Sequence, residues 1–191
     1  LYHVGGLAIL FRCLLSGATA AVAPTDRPIA ESLSQVRATH VSVVPTQLAR
    51  LLRQQLLSDH LRAVLVGGAP LSAALAAEAL EAGLPVHTTY GSTEMASQIT
   101  ATPPGAGPDD LHTCGKVLPY REIKIADDGE IIVRGPTLFD GYLATDGVRA
   151  AVDRDGWFAT GDRGELDDQL RLVVHGRVDN MFICGGENVQ P

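Results

Sequence analysis

The sequence predicts an α/β fold: a parallel-type sheet flanked by helices, followed by a small, mostly antiparallel β subdomain. Three observations carry this expectation. Over residues 1–101, apolar and β-branched runs alternate with amphipathic segments at helical spacing, the rhythm of a parallel sheet with helical crossovers. The run Thr102-Pro103-Pro104-Gly105-Ala106-Gly107-Pro108 then reads as a linker by composition. Beyond it, short strand-like stretches flank turn sequences, most clearly Asp127-Asp128-Gly129. The expected organisation is an α/β subdomain over 1–101, a linker over 102–110 and a β-rich subdomain over 111–176.

Taken in order, residues 7–15 read as a helix stopped near Gly17. Residues 19–23 read as a short strand, and residues 29–37 as an amphipathic helix with Ile29, Leu33 and Val36 on one side. The β-branched run 40–44 ends at Pro45, after which Leu48, Leu51, Leu52 and Leu56 recur at helical spacing. Residues 61–66 form a buried-type strand closed by Gly67-Gly68. Ser72 is a natural N-cap for the alanine-rich helix that follows, and Gly83 its stop. Residues 86–90 are the next strand. In the second half, 122–126 and 130–134 make one hairpin, and 163–166 with 170–174 a second around Asp167-Asp168-Gln169.

Composition narrows the function classes. The chain has 191 residues, is 46% hydrophobic and 19% charged, and carries a net charge of -7, ordinary for a globular protein. No Lys/Arg stripe suggests nucleic acid or an anionic membrane, and no apolar run approaches the length of a membrane span. Cys13, Cys114 and Cys184 show neither a disulfide framework nor a zinc spacing; free thiols in a reducing cytoplasm are expected. The six histidines have no metal-ligand spacing among them. Leu1 is not an initiator methionine and Pro191 follows directly on a motif, so the sequence reads as an internal piece of a longer protein.

The chemistry concentrates in Tyr90-Gly91-Ser92-Thr93-Glu94, Gly156-Trp157-Phe158-Ala159-Thr160-Gly161-Asp162 and Gly176-Arg177-Val178-Asp179. In a parallel sheet, Gly67-Gly68-Ala69-Pro70 and Gly91-Ser92-Thr93 fall at strand carboxyl ends, where ligands of such sheets bind. Tyr90 offers a face for a base, Thr93 a hydroxyl for a phosphate, and Glu94 a carboxylate for Mg²⁺, which takes one or two protein carboxylates besides phosphate oxygens and water. Asp162 is placed on a turn from which it can hold a ribose diol, and Arg177 can reach the diol or a phosphate. Small residues at Gly68, Ala69 and Pro70 let the backbone approach a flat base. His3, beside Gly5-Gly6, can contact a substrate carboxylate. Each of these has an ordinary structural reading: a strand ending in a glycine turn before an acid-rich helix start, a turn aspartate, a surface arginine, a packing histidine. Together they point to an ATP-using enzyme that activates carboxylic acids.

The chain resembles the adenylate-forming acyl-CoA synthetases. The resemblance rests on Tyr2-His3-Val4-Gly5-Gly6-Leu7, the pentapeptide at 90–94, Gly129-Glu130-Ile131-Ile132-Val133-Arg134-Gly135-Pro136, Gly141-Tyr142, and the stretches 156–162 and 176–186, in matching order over essentially the whole chain. Within that superfamily it is most similar to the o-succinylbenzoate-CoA ligases of menaquinone biosynthesis, on the runs 3–12, Ser97-Gln98-Ile99 and 185–191. Another aryl- or fatty-acyl-CoA ligase, or a non-catalytic nucleotide- or acyl-binding relative, are the alternatives. The resemblance implies ATP, Mg²⁺ and coenzyme A, with Thr93 on phosphate and Glu94 on the metal. It implies Asp162 and Arg177 at the ribose, Gly68, Ala69, Pro70, Tyr90 and Gly91 around the nucleotide, and His3 at the acyl end. Ser97 and Gln98 are candidate contacts for a second carboxylate of the substrate. Asp179 matches the hinge of the family, so 177–191 would be a hinge and the start of a C-terminal domain. The phosphate loop of the family belongs before Leu1 and its catalytic lysine after Pro191; Lys116 and Lys124 lie in the wrong segments to replace it. Residues 1–191 alone are therefore expected not to complete adenylation, and, with apolar faces uncovered, to associate into a homo-oligomer.

Overall fold

The computed structural model describes residues 3–22, 26–54 and 59–178, and the strands 182–184 and 187–189. Helix α1 (Val4–Ser16) ends where Gly17 turns left-handed (φ 66°) and Ala18 N–H closes on the Cys13 carbonyl. α2 (Ile29–Gln35) leads to β1 (His40–Val43). α3 (Pro45–Gln54) starts on a proline, favourable at a first helical position, with Gln47 accepting from the Val44 amide, and buries Leu48, Leu51 and Leu52. Leu56 lies outside the described residues. β2 (Ala63–Val66) precedes α4 (Ala73–Glu81), which Ser72 caps by accepting from Leu75 N–H.

Then come β3 (Val86–Ser92), β4 (Ser97–Ala101), the short α5 (Pro108–Leu111) and β5 (Lys116–Val117). These strands form one sheet in the order β1-β2-β3-β4-β5, with β1, β2 and β3 parallel and β4 and β5 antiparallel to their neighbours. The parallel alternation expected from the sequence is present, but the sheet is mixed because β3 turns back on itself as β4. Residues 97–101, Ser-Gln-Ile-Thr-Ala, carry no period-2 alternation, and the strand exists because it pairs with β3. One further expectation, and the ordinary reading of the pentapeptide, are corrected. No strand forms over residues 19–22, and no helix start follows Glu94: residues 93–96 are a turn into β4.

The second sheet is wholly antiparallel. β6 (Glu122–Ile125) and β7 (Glu130–Arg134) flank the Asp127-Asp128-Gly129 turn, and β10 (Phe158–Leu166) and β11 (Leu172–Arg177) complete the order β11-β10-β7-β6. Between them β8 (Tyr142–Ala144) and β9 (Gly147–Arg149) form a separate hairpin, and β12 (Phe182–Cys184) with β13 (Glu187–Val189) another.

Two cores organise the molecule. The first joins the leucines of α3 and the alanines of α4 to Val43, Val64, Val66 and Val86 of the sheet. The second joins Ile131, Val133, Phe158 and Leu172 of the antiparallel sheet to Tyr90, Met95 and Ile99. The β3–β4 hairpin therefore belongs to one sheet by hydrogen bonding and to the core of the other by packing. That double membership fixes the pentapeptide at the junction. Helix α1 is different: it lies against β4 but buries none of its residues, with Phe11 63% and Leu15 86% exposed. Cys13 and Cys114 are free and half-buried, and burial pushes the Cys114 thiol up to about 11. Among the described residues, no helix is long and apolar enough to cross a membrane.

Candidate active site

The site grows from the β3–β4 hairpin. Tyr90 is only 9% exposed, so the open ring face expected for a base is reduced to a strip, while its hydroxyl donates to Asp162 Oδ2 at 2.7 Å. Burial raises the Tyr90 phenol far above its ordinary value, and the bond to Asp162 adds to this. It is a neutral donor at physiological pH. Asp162 does not sit on a turn: it lies inside β10, opposite Arg177 of β11, at a register irregularity where Gly161 takes φ 73°. A Cβ on Gly161 would lie 2.8 Å from the mobile end of Arg177, and the left-handed φ of this residue is what favours glycine here. Arg177 Nη1 stands 3.3 Å from Asp162 Oδ1 and donates to the Thr160 carbonyl. Thr160 Oγ1 donates to the Ile131 carbonyl and accepts from Asp162 N–H, and Gly161 N–H donates to Glu130 Oε1. Asp162 is thus held by Tyr90 of β3, Arg177 of β11 and the Thr160 hydroxyl of its own strand, with its side chain 18% exposed.

The turn after β3 presents Thr93 to solvent and anchors Met95 completely in the second core. Glu94, half-buried between them, accepts from Tyr142 Oη at 2.9 Å through Oε1, and its carbonyl accepts from Phe139 N–H at 2.8 Å. The bond to Glu94 raises the Tyr142 phenol, while the charge of Arg177 acts in the opposite sense. Tyr90, Asp162, Arg177, Tyr142 and Glu94 are therefore electrostatically linked, from β3, β10, β11, β8 and the turn after β3. Among the described residues no group of three His, Cys, Asp or Glu side chains could hold a metal ion. The donor set does not suit a closed zinc centre. A single carboxylate beside an exposed threonine fits a magnesium ion that keeps waters and shares phosphate oxygens.

The loop after β2 explains itself sterically. A Cβ on Gly67 would lie 2.5 Å from Thr89 Oγ1, and Gly68 takes φ 78°. Gly68, Ala69 and Pro70 are exposed at the same strand ends as Gly91 and Thr93. At the other side of the hairpin, Gln98 Oε1 accepts from Arg12 Nη1 at 2.5 Å, and Ser97 holds φ 104°. His3 is the exposed N-cap of α1; nine residues separate it from Arg12, about 14 Å along a helix axis. Asp179, Gly185 and Gly186 lie outside the described residues. The structure thus gathers Tyr90, Asp162 and Arg177 in one cluster and Glu94 beside it, with Gln98 facing α1 and His3 at the far end of that helix.

Sequence reasoning missed Arg12 and Tyr142. Arg12 is the one charge in the apolar run Val4–Ser16, a signal that a lone cation on an otherwise uncharged helix has a partner. Tyr142 stands in the Gly141-Tyr142 stretch that carries the resemblance, but nothing in the sequence assigns it a role.

The profile of the AMP-binding enzyme family matches residues 1–143. The 2-succinylbenzoate–CoA ligase of Salmonella typhimurium is 41% identical over 191 residues, covering 100% of this chain and 40% of that protein. The corresponding ligase of Listeria innocua is 37% identical over 195 residues, covering 100% of this chain and 42% of the relative. The o-succinylbenzoate CoA synthetase of Bacillus subtilis, solved with its acyl-adenylate intermediate, superposes with a TM-score of 0.90 at 34% identity, over 100% of this chain and 42% of that one. The same enzyme solved with ATP and magnesium gives a TM-score of 0.89, with 100% of this chain and 43% of that chain covered. The chain spans about two fifths of the length of these relatives. With a match over most of its residues, and with the pentapeptide, Asp162 and Arg177 assembled at one junction, this chain belongs to the AMP-binding enzyme family.

Proposed function

We propose that the protein carrying this chain is an ATP-dependent, AMP-forming acid–thiol ligase of menaquinone biosynthesis that converts o-succinylbenzoate to its coenzyme A thioester. The observation that carries the reading is the linked set Tyr90–Asp162–Arg177 beside Glu94, a nucleoside-holding cluster next to a metal-ready carboxylate. In the first step a substrate carboxylate oxygen attacks the α-phosphorus of ATP, the α–β anhydride bond breaks, and pyrophosphate leaves. In the second, the thiolate of coenzyme A attacks the acyl carbon, the acyl–phosphate bond breaks, and AMP leaves. Asp162, oriented by the Tyr90 hydroxyl, accepts from the ribose hydroxyls, and Arg177 closes over them. Thr93 donates to the α-phosphate. Gly68, Ala69, Pro70 and Gly91 give the base and phosphates room. Magnesium, held by Glu94, offsets the phosphate charge as the anhydride breaks.

Arg12 with Gln98 favours a substrate with a second carboxylate, since a guanidinium recognises that group bidentately. Ser97 borders the same place, and His3 serves the reacting carboxylate. Asp179 is the hinge between the region up to residue 176 and a C-terminal domain, the region itself dividing at 102–110. The enzyme is cytoplasmic.

The test is ATP–pyrophosphate exchange by the full-length protein over o-succinylbenzoate, benzoates and fatty acids. Exchange with o-succinylbenzoate is expected. Arg12→Ala is expected to lower it about tenfold or more through KM, the value of a lost charged hydrogen bond, while leaving benzoate exchange nearly unchanged. Exchange confined to fatty acids or benzoates would keep the mechanism and replace the substrate; no exchange with any acid would remove the enzymatic reading. Residues 1–191 alone are expected to associate through the apolar surface of α1, which light scattering checks; a monomer would count against it.

A further inference from the structure

We propose that Tyr142, at the start of the β8–β9 hairpin, is a positioning residue for the metal: it holds one oxygen of Glu94 so that the other is presented to Mg²⁺. This rests on the reading of Glu94 as the magnesium ligand.

The argument is geometric. Around Tyr142 the hairpin is largely in solvent, with Leu143 87% and Val148 63% exposed. An exposed tyrosine–carboxylate bond ordinarily contributes little, because ordering two side chains in water opposes it. Tyr142 itself is 51% exposed, but one side of its ring is packed. Its ring meets Phe139 edge-on at 4.8 Å, and Phe139 meets the nearly buried Phe158 edge-on at 5.4 Å. These three rings run from the second core to the Glu94 carboxylate. The backbone completes the clamp, since Phe139 N–H donates to the Glu94 carbonyl. Both the main chain and the side chain of Glu94 are thus tied to one segment, residues 139–142. Only Oε1 takes the Tyr142 bond at 2.9 Å; Oε2 has no hydrogen bond among the described residues. Second partners of this kind fix the orientation of ligating carboxylates and tune metal affinity.

The experiment is isothermal titration of ATP into the full-length protein, once with excess Mn²⁺ as the metal and once with EDTA. Tyr142→Phe is expected to weaken ATP binding roughly tenfold with Mn²⁺, the scale of a second-partner loss, and to leave the EDTA titration unchanged. Glu94→Gln is the reference and is expected to abolish the Mn²⁺ enhancement, with no further loss in the double variant. If Glu94→Gln removes the enhancement and Tyr142→Phe does not, the proposal is overturned and the role of Glu94 stands. Equal weakening by Tyr142→Phe with and without metal would show a merely structural role and overturn it too. If Glu94→Gln itself leaves the enhancement intact, the reading of Glu94 fails and takes the proposal with it.

Discussion

Glu94→Gln is expected to lower ATP–pyrophosphate exchange by the full-length protein by two to three orders of magnitude, a loss of roughly 3–4 kcal/mol of transition-state stabilisation. The substitution is nearly isosteric. Glutamine keeps an oxygen for the Tyr142 hydroxyl, the Phe139 amide still meets the backbone carbonyl at this position, and Met95 still anchors the turn. Folding is therefore expected to be unaffected, and the thermal midpoint to move by no more than a degree or two. What is lost is the charge, because a neutral amide is a poor ligand for a hard dication that prefers carboxylate oxygen. The dependence of the residual rate on Mg²⁺ concentration should flatten. A variant retaining more than about a tenth of wild-type exchange would show that Glu94 does not serve the reacting phosphates, given that a single charge-stabilising group in such sites is worth about a hundredfold.

Much of the architecture was legible because local rules and tertiary demands agree. Ser72 caps α4, Gly17 ends α1, Gly83 follows α4 with φ 74°, and Asp127-Asp128-Gly129 turns β6 into β7. The leucines of α3 recur at helical spacing and are the ones buried. Where expectation failed, a long-range contact had decided the local structure. Residues 97–101 are a strand only because β3 is there to pair with. Asp162 sits within β10 because its stretch pairs with β11, where Asp162 lies opposite Arg177. The candidate site was legible in its residue types but not in its wiring. Nothing in the pentapeptide announces that Tyr90 reaches Asp162, 72 positions away, or that Glu94 reaches Tyr142, 48 positions away. Arg12 meets Gln98 across 86 positions, and pairs so remote follow from the sheet arrangement, not from spacing.

The glycine of the pentapeptide supplies the second large effect: Gly91→Ala is expected to destabilise the protein by about 3 kcal/mol or more, the range of severe overpacking. The usual explanation of a glycine in such a motif is room for a phosphate. The structure gives it a second task as well. A Cβ at this position would collide with the Ser97 carbonyl oxygen and lie 2.7 Å from its carbon and 2.8 Å from Gln98 Cα. All three are backbone atoms of β4, so no rotamer change relieves the contact. The strand must move away, at the register irregularity between Tyr90 and Gly91. Moving β4 shifts Ile99 and Met95, both fully buried in the second core, and draws Gln98 from Arg12. Gly107→Ala is the control: its φ is -91°, and a Cβ there meets nothing within 4 Å. It should cost no more than about 1 kcal/mol, the preference for glycine over alanine at an N-cap. Chemical denaturation of the two variants separates the explanations. If Gly91→Ala matches the control in stability yet loses ATP binding, the glycine serves the nucleotide. If it loses both in proportion, the close strand approach is what the motif requires, and the site is a consequence of how tightly β3 and β4 are allowed to meet.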